Sequence, residues 1–271
     1  MRAMRGRTGR SARLACVAAI GLVAGCGGSG APTPSTSTNP TNPSRSTSTK
    51  PTSPTNPAGA ITVVADGLAN PRQLSFGSDG ALYVAEAGSG GRGTCTPDPS
   101  TGGRICVGAT GAVARIDHGA LTRVLTGLPS VAVAAGTSAS GPAAAVAVTG
   151  GRLVVVTQDT RIDARGANRF GAGGRLLGHL LERGPDGRLR VSTDLARFEA
   201  AHDPDQGRGA AAGDAIESDP YALAAYRGGY AVADAAGNDV LWVGPTGAVR
   251  VLAVLPTQTV RAPAGTVGRT A

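Results

Sequence analysis

The chain has 271 residues, with 26 Lys+Arg against 18 Asp+Glu, and only 3% of it is aromatic. Its formal charge of +8 sits mostly at the start: five arginines lie within residues 1–25, and Arg45 and Lys50 follow. The rest carries 19 basic and 18 acidic groups, a net +1, so the high charge gives no support to a nucleic-acid partner.

The first element is an export signal over residues 1–25. Arg2, Arg5, Arg7, Arg10 and Arg13 form its basic part, and Leu14 to Val23 its apolar part. That apolar run is too short to span a bilayer comfortably. It ends in Leu22-Val23-Ala24-Gly25-Cys26, which resembles the lipobox of bacterial lipoproteins. Cys26 is therefore the expected lipidation site, the alternative being an ordinary signal peptide with a chance cysteine. There is no twin-arginine pair, which favours the general secretion route. Residues 26–58 are rich in Ser, Thr, Pro and Asn. This composition cannot bury a core and reads as an extended tether. The expected address is outside the cell, with the chain held to the outer face of the cell membrane by lipid, or secreted.

From residue 59 to 260 the chain repeats itself. NPRQLSFGSDGALYVAEAG at Asn70 returns as GPAAAVAVTGGRLVVVTQD at Gly141 and as DPYALAAYRGGYAVADAAG at Asp219. Within each copy two apolar runs flank a glycine turn: Asp79-Gly80, Gly150-Gly151 and Gly228-Gly229. Asp-Gly and Gly-Gly between apolar runs predict hairpins, because they tolerate the positive φ of such turns. A second hairpin follows in every copy, at Asp117-His118-Gly119, Pro185-Asp186-Gly187 and Pro245-Thr246-Gly247. Two hairpins per unit predict an all-β chain of four-stranded antiparallel blades, in the manner of a β-propeller. A β-sandwich is the rival, but it offers no reason for such a long repeat. Only three units are present, whereas propellers generally need about 4–8 blades. The ring is then completed by another chain, or this is an incomplete version of a longer protein. Residues 261–271 read as an irregular tail. Between the second and third units, Asp194 to Ala201 predicts a short helix capped at Thr193 or Asp194.

Cys95 and Cys106 lie in a glycine-rich loop of the first unit. In an exported chain such a pair forms a disulfide; a metal site is the alternative, but no histidine is near. His118, His179 and His202 are not at metal-ligand spacing, and His202-Asp203-Pro204-Asp205 lacks the oxygen ladder of a calcium loop. No nucleophile elbow, P-loop or zinc-protease motif occurs. Polar residues recur where each unit enters and leaves its first hairpin. Arg72, Glu86, Asp219, Tyr221 and Asp234 are the candidate ligand-binding residues, expected on one rim of a central channel, with Asp159 corresponding to Glu86 and Asp234. The plainer reading is that they satisfy backbone groups at strand ends.

VVADGLANPRQLSFGSDGALYVAEAGSGG, the Cys95/Cys106 loop, TGAVARIDHGALTRVLTGLPS and VADAAGNDVLWVGPTG together resemble the ScyD/ScyE family of secreted bacterial proteins. The resemblance covers about Ile61 to Leu255. It implies a propeller related to NHL-type and six-bladed TolB-like folds, and no catalytic residue. The chain departs from the family at Ala143-Ala144, where His-Asp is usual, and at Asp219, where Asn is expected. A further unit that family members carry after the region near Leu255 is absent. The leading expectation is a non-enzymatic surface module that binds a small molecule or cell-envelope partner. One alternative is a propeller enzyme, either a calcium-dependent lactonase or a quinone-dependent sugar dehydrogenase. The lactonase would take calcium on Glu86, Asn238 and Asp234, although Asn238 begins the next module and points elsewhere. Another alternative is a truncated, non-functional copy. No cofactor is predicted, calcium being the one ion with candidate ligands.

Overall fold

A computed structural model of the chain describes residues 61–98, 102–158, 160–162, 168–207 and 216–256. The expected signal (1–25), Cys26, the tether (26–58), Asp159 and the tail (261–271) lie outside the described residues.

The described chain is all-β apart from one short helix and one 3-10 turn. The first sheet holds β1 (Pro71–Phe76), β2 (Leu82–Glu86), β3 (Cys95–Pro97), β4 (Arg104–Asp117) and β5 (Ala120–Val133). β1, β2, β4 and β5 form an antiparallel meander, and β3 pairs with the far end of β4. The second sheet is the meander of β6 (Pro142–Val148), β7 (Arg152–Thr157), β9 (His179–Arg183) and β10 (Leu189–Asp194), with β8 (Thr160–Ile162) following β7 in the chain. After α1 (Leu195–His202), β11 (Ile216–Ser218) pairs with β8. The third meander is β12 (Pro220–Tyr226), β13 (Gly229–Asp234), β14 (Asp239–Val243) and β15 (Val249–Val254). Each repeat thus gives a four-stranded antiparallel meander, the first extended to five strands by β3, with β8 and β11 forming a separate two-stranded sheet. Among the described residues the meanders do not close into a ring.

The repeat is visible in detail. Each first strand begins at a proline whose partner is the last residue of the second strand: Pro71 with Glu86, Pro142 with Thr157, and Pro220 with Asp234. Each then breaks register within three residues, the mark of a bulge that re-aims the strand. The hairpin turns follow glycine chemistry. Arg227 and Gly228 both have positive φ, 47° and 76°, and join Tyr226 directly to Gly229, as a two-residue turn requires. The turn is therefore Arg227-Gly228 rather than Gly228-Gly229. Gly229 already belongs to the ladder, where a Cβ would stand 2.2 Å from the Val243 carbonyl oxygen.

Alternation along β7 explains the packing. Leu153 and Val155 join Ala85, Val113, Leu128, Ala145 and Leu181 in a core between the first and second sheets. Val154 and Val156 point the other way, into a core with Leu180, Leu223, Val232, Leu241 and Val243. The second sheet is apolar on both faces because both are covered. The first strands also meet: Ser75 Oγ donates to Ala145 O at 2.7 Å. Gln73 takes both backbone groups of Leu223, donating at 2.9 Å and accepting at 3.2 Å. One side-chain amide thereby joins the first sheet to the third.

Cys95 and Cys106 form the disulfide, directly opposite each other in the β3–β4 pair. The segment around them is more ordered than a loop. β4 and β5 run on together as a long arm whose Ile105, Val107 and Val131 pack on Phe170 and Leu177. The expected helix is α1; the Asp194 carboxylate caps it by accepting from the Arg197 N–H at 2.9 Å.

Candidate functional site

The polar residues that end the second strands share one local task. Glu86, Thr157 and Asp234 are all buried, and each accepts a backbone N–H at a strand boundary: Ala69 to Glu86, His179 to Thr157, Asp219 to Asp234. The counterpart of Glu86 in the second unit is thus Thr157, two residues before Asp159. Glu86 is also held by Arg123 through a two-pronged ion pair at 2.8 and 2.9 Å. Asp234 accepts from the Asp219, Ala236 and Gly237 N–H groups on one oxygen and from Ser218 Oγ, at 2.5 Å, on the other.

The remaining candidates are spread over several contacts. Arg72 donates to the Ala139 carbonyl, and its Nε is buried without a partner. Asp219 accepts from Gln158 Nε2 at 3.1 Å. Tyr221 is half-exposed on β12. Asp219 and Asp234 are brought together; Glu86 sits apart on the first sheet. Ala143 and Ala144 are buried in the core between the second and third sheets. Asn238 does point away from Glu86: its Nδ2 donates to Asp205 at 2.8 Å.

A second constellation joins Asp203 and Asp205, whose own segment lacks a calcium-loop ladder, to acids that the sequence does not connect with them. α1 lies so that Glu199 and Asp205, from the helix and the loop after it, meet the turn between β13 and β14. Ligand oxygens of Glu199, Asp203 and Asp205 lie within 4.8 Å of one another. A Cβ on Gly237 would stand 3.1 Å from Glu199 Oε2 and 3.4 Å from the Asp234 carboxyl carbon, so the bare glycine lets the helix carboxylate approach. Asp239 is the cross-strand partner of Asp234, which puts their side chains on one face of the sheet. Asp239 is only 1% exposed and Glu199 3%. Both Asp239 oxygens and Glu199 Oε2 are buried without a hydrogen-bond partner.

The electrostatics follow from that crowding. Burial, then the charges of Asp239, Asp234, Asp205 and Asp203, pushes Glu199 up to about 8. Burial, then Asp234 and Asp205, pushes Asp239 up to about 7. Asp234 is also raised by burial, against the opposing pull of its donors from Gly237, Ser218 and Asp219. Chemically, the pocket can hold protons or a hard cation.

The other features are weaker. His202 stacks on Phe198 with centroids 4.3 Å apart, and the exposed His118 pairs with Asp117 at 2.7 Å. His179 Nε2 is 3.6 Å from Asp194. A cavity of about 340 Å³ between the disulfide arm and the Gly171–Gly174 turn is lined by glycines and alanines with Val107, Pro129, Arg175 and Leu176. Among the described residues no helix is long and apolar enough to cross a membrane. No family model, curated protein or solved structure matches this chain.

Proposed function

We propose that this chain is an exported, lipid-anchored module whose three sheets are propeller-type blades, and that it binds a small molecule or cell-envelope partner without converting it. The observation that carries this reading is the engagement of the polar strand-end residues. Glu86, Thr157 and Asp234 are turned inward to bond backbone N–H groups, which leaves them unsuited to attack or protonate a substrate. The blade reading is supported by the doubly covered second sheet and by the meeting of the first strands. Exposed Leu74, Phe76 and Tyr221 on β1 and β12 offer apolar and aromatic contact area of the kind binding surfaces use. The enzyme readings have less support: Glu86 is neutralised by Arg123, and Ala143 and Ala144 belong to the core.

Metabolic labelling with an alkyne palmitate tests the address. The full chain should take up label in a bacterial host, and Cys26→Ser should not; an unlabelled wild type would overturn the anchor. Incubation with lactones plus calcium, and with aldoses plus pyrroloquinoline quinone, tests the absence of catalysis. Turnover in either mixture would overturn it.

A further inference from the structure

We infer that the pocket between α1 and the β13–β14 turn is a calcium-class cation site, with carboxylate oxygens of Glu199, Asp203, Asp205 and Asp239 as its ligands. Two independent observations meet there. The first is the convergence of three carboxylates from the helix and its following loop. The second is Asp239, which comes from β14 of the third sheet, is almost fully buried, and has neither oxygen bonded. A buried carboxylate without a partner is unstable unless it gains a proton or a cation. Here several share one pocket, so charge neutralisation is required of the site as a whole.

The position along the helix points the same way. Glu199 stands in the second half of α1, and Asp203 is its C-cap, in the left-handed region at φ 41°. The C-terminal end of a helix carries partial negative charge and favours cations; acids there are unfavourable on their own. The donor set is oxygen only. His202, the one nearby nitrogen ligand, is turned onto Phe198, which disfavours zinc. Carboxylates drawn from a helix, an irregular loop and a strand suit calcium, which accepts irregular oxygen geometry, better than magnesium, which demands a regular octahedron. Asp205 accepts a single donor on each oxygen, the Gly207 N–H and Asn238 Nδ2, which leaves a lone pair on each for the ion. Asp234 is not a ligand, because its two oxygens already accept four donors. It fixes the turn that presents Asp239. Asn238 does the same for Asp205. The ion would fasten the loop after α1 to the third sheet, independently of whatever the blades bind.

Equilibrium dialysis of the full chain against radioactive calcium tests the site. One ion should bind per chain with a dissociation constant on the order of 0.1–1 mM, the range of extracellular calcium modules. Glu199→Gln and Asp239→Asn should each weaken binding at least about tenfold, because each removes a charged ligand oxygen. Both substitutions are isosteric and lift a repulsion, so the fold is not at risk, and circular dichroism checks it. Asp186→Asn, in the exposed turn between β9 and β10, should bind as wild type. Folded wild type that takes up no calcium at about 10 mM, far above the expected constant, would show that the pocket holds protons instead. Undiminished binding by both pocket variants would likewise overturn the assignment.

Discussion

Raising the pH from about 5 to about 8 with a chelator present should destabilise this protein steadily, and Glu199→Gln should remove much of that sensitivity. In the unfolded chain Glu199 ionises near 4.5, whereas in the folded chain it keeps its proton up to about 8. Between these values the folded state holds the extra proton, so each rise in pH favours unfolding. The stabilisation is complete below about 4.5 and is lost as pH passes through about 8. Because Glu199 shares its pocket with Asp239, the loss across that window is on the order of a few kcal/mol. Asp239, raised to about 7, acts in the same direction. A whole domain is commonly stable by only about 5–15 kcal/mol, so this pocket governs a large share. Urea unfolding at several pH values, followed by circular dichroism, reads the effect. The midpoint should fall with pH in wild type, fall less in Glu199→Gln, and leave the variant the more stable of the two at pH about 8. A wild-type midpoint that stays flat or rises would refute the reasoning, as would an unchanged slope in the variant.

Two further substitutions probe the frame. Arg123→Ala strips the Glu86 carboxylate of its ion pair and leaves it buried with the Ala69 N–H; a loss of about 3 kcal/mol is expected in urea melts, and a loss within about 0.5 kcal/mol, the range of ordinary surface changes, would show that the pair carries little. Gly229→Ala places a methyl 2.2 Å from the Val243 carbonyl; a destabilisation of about 2 kcal/mol or more is expected, and a melting curve equal to wild type would mean that the β13–β14 ladder opens at no cost.

The hairpins were legible because their turns are written in short local signals. Asp79-Gly80, His118-Gly119 and Gly150-Gly151 fall where the chain reverses, and the three glycines at 80, 119 and 150 all have positive φ. The disulfide and the helix cap at Asp194 were legible for the same reason: each depends on residues close in sequence. What escaped notice depends on distant ones. Glu86 looks like a ligand until Arg123, 37 residues on, is brought against it. The glycine-rich stretch around Cys95 reads as a loop, although Ile105 and Val107 alternate as a strand should; their partner Phe170 lies far along the chain. The acidic pocket draws on Glu199, Asp205 and Asp239, separated by the β11–β13 segment. A signal did exist: Asp234 and Asp239 flank a tight turn between apolar runs, which makes them cross-strand neighbours on a buried sheet. Two acids in that relation ask for a compensating charge.

The Gln73 amide grips the backbone of Leu223, 150 positions later. For a chain that emerges N-terminus first, the first two sheets can form early, since their pairs are local. Until β12 arrives, Gln73 has no Leu223 to hold, and Val154, Val156 and Leu180 lie bare on the second sheet. A chain halted before the third sheet therefore displays a sticky apolar face of the kind that aggregates or invites proteolysis. The clamp closes only when the third sheet docks, so that sheet covers the apolar face and at the same time ties the start of the fold to it.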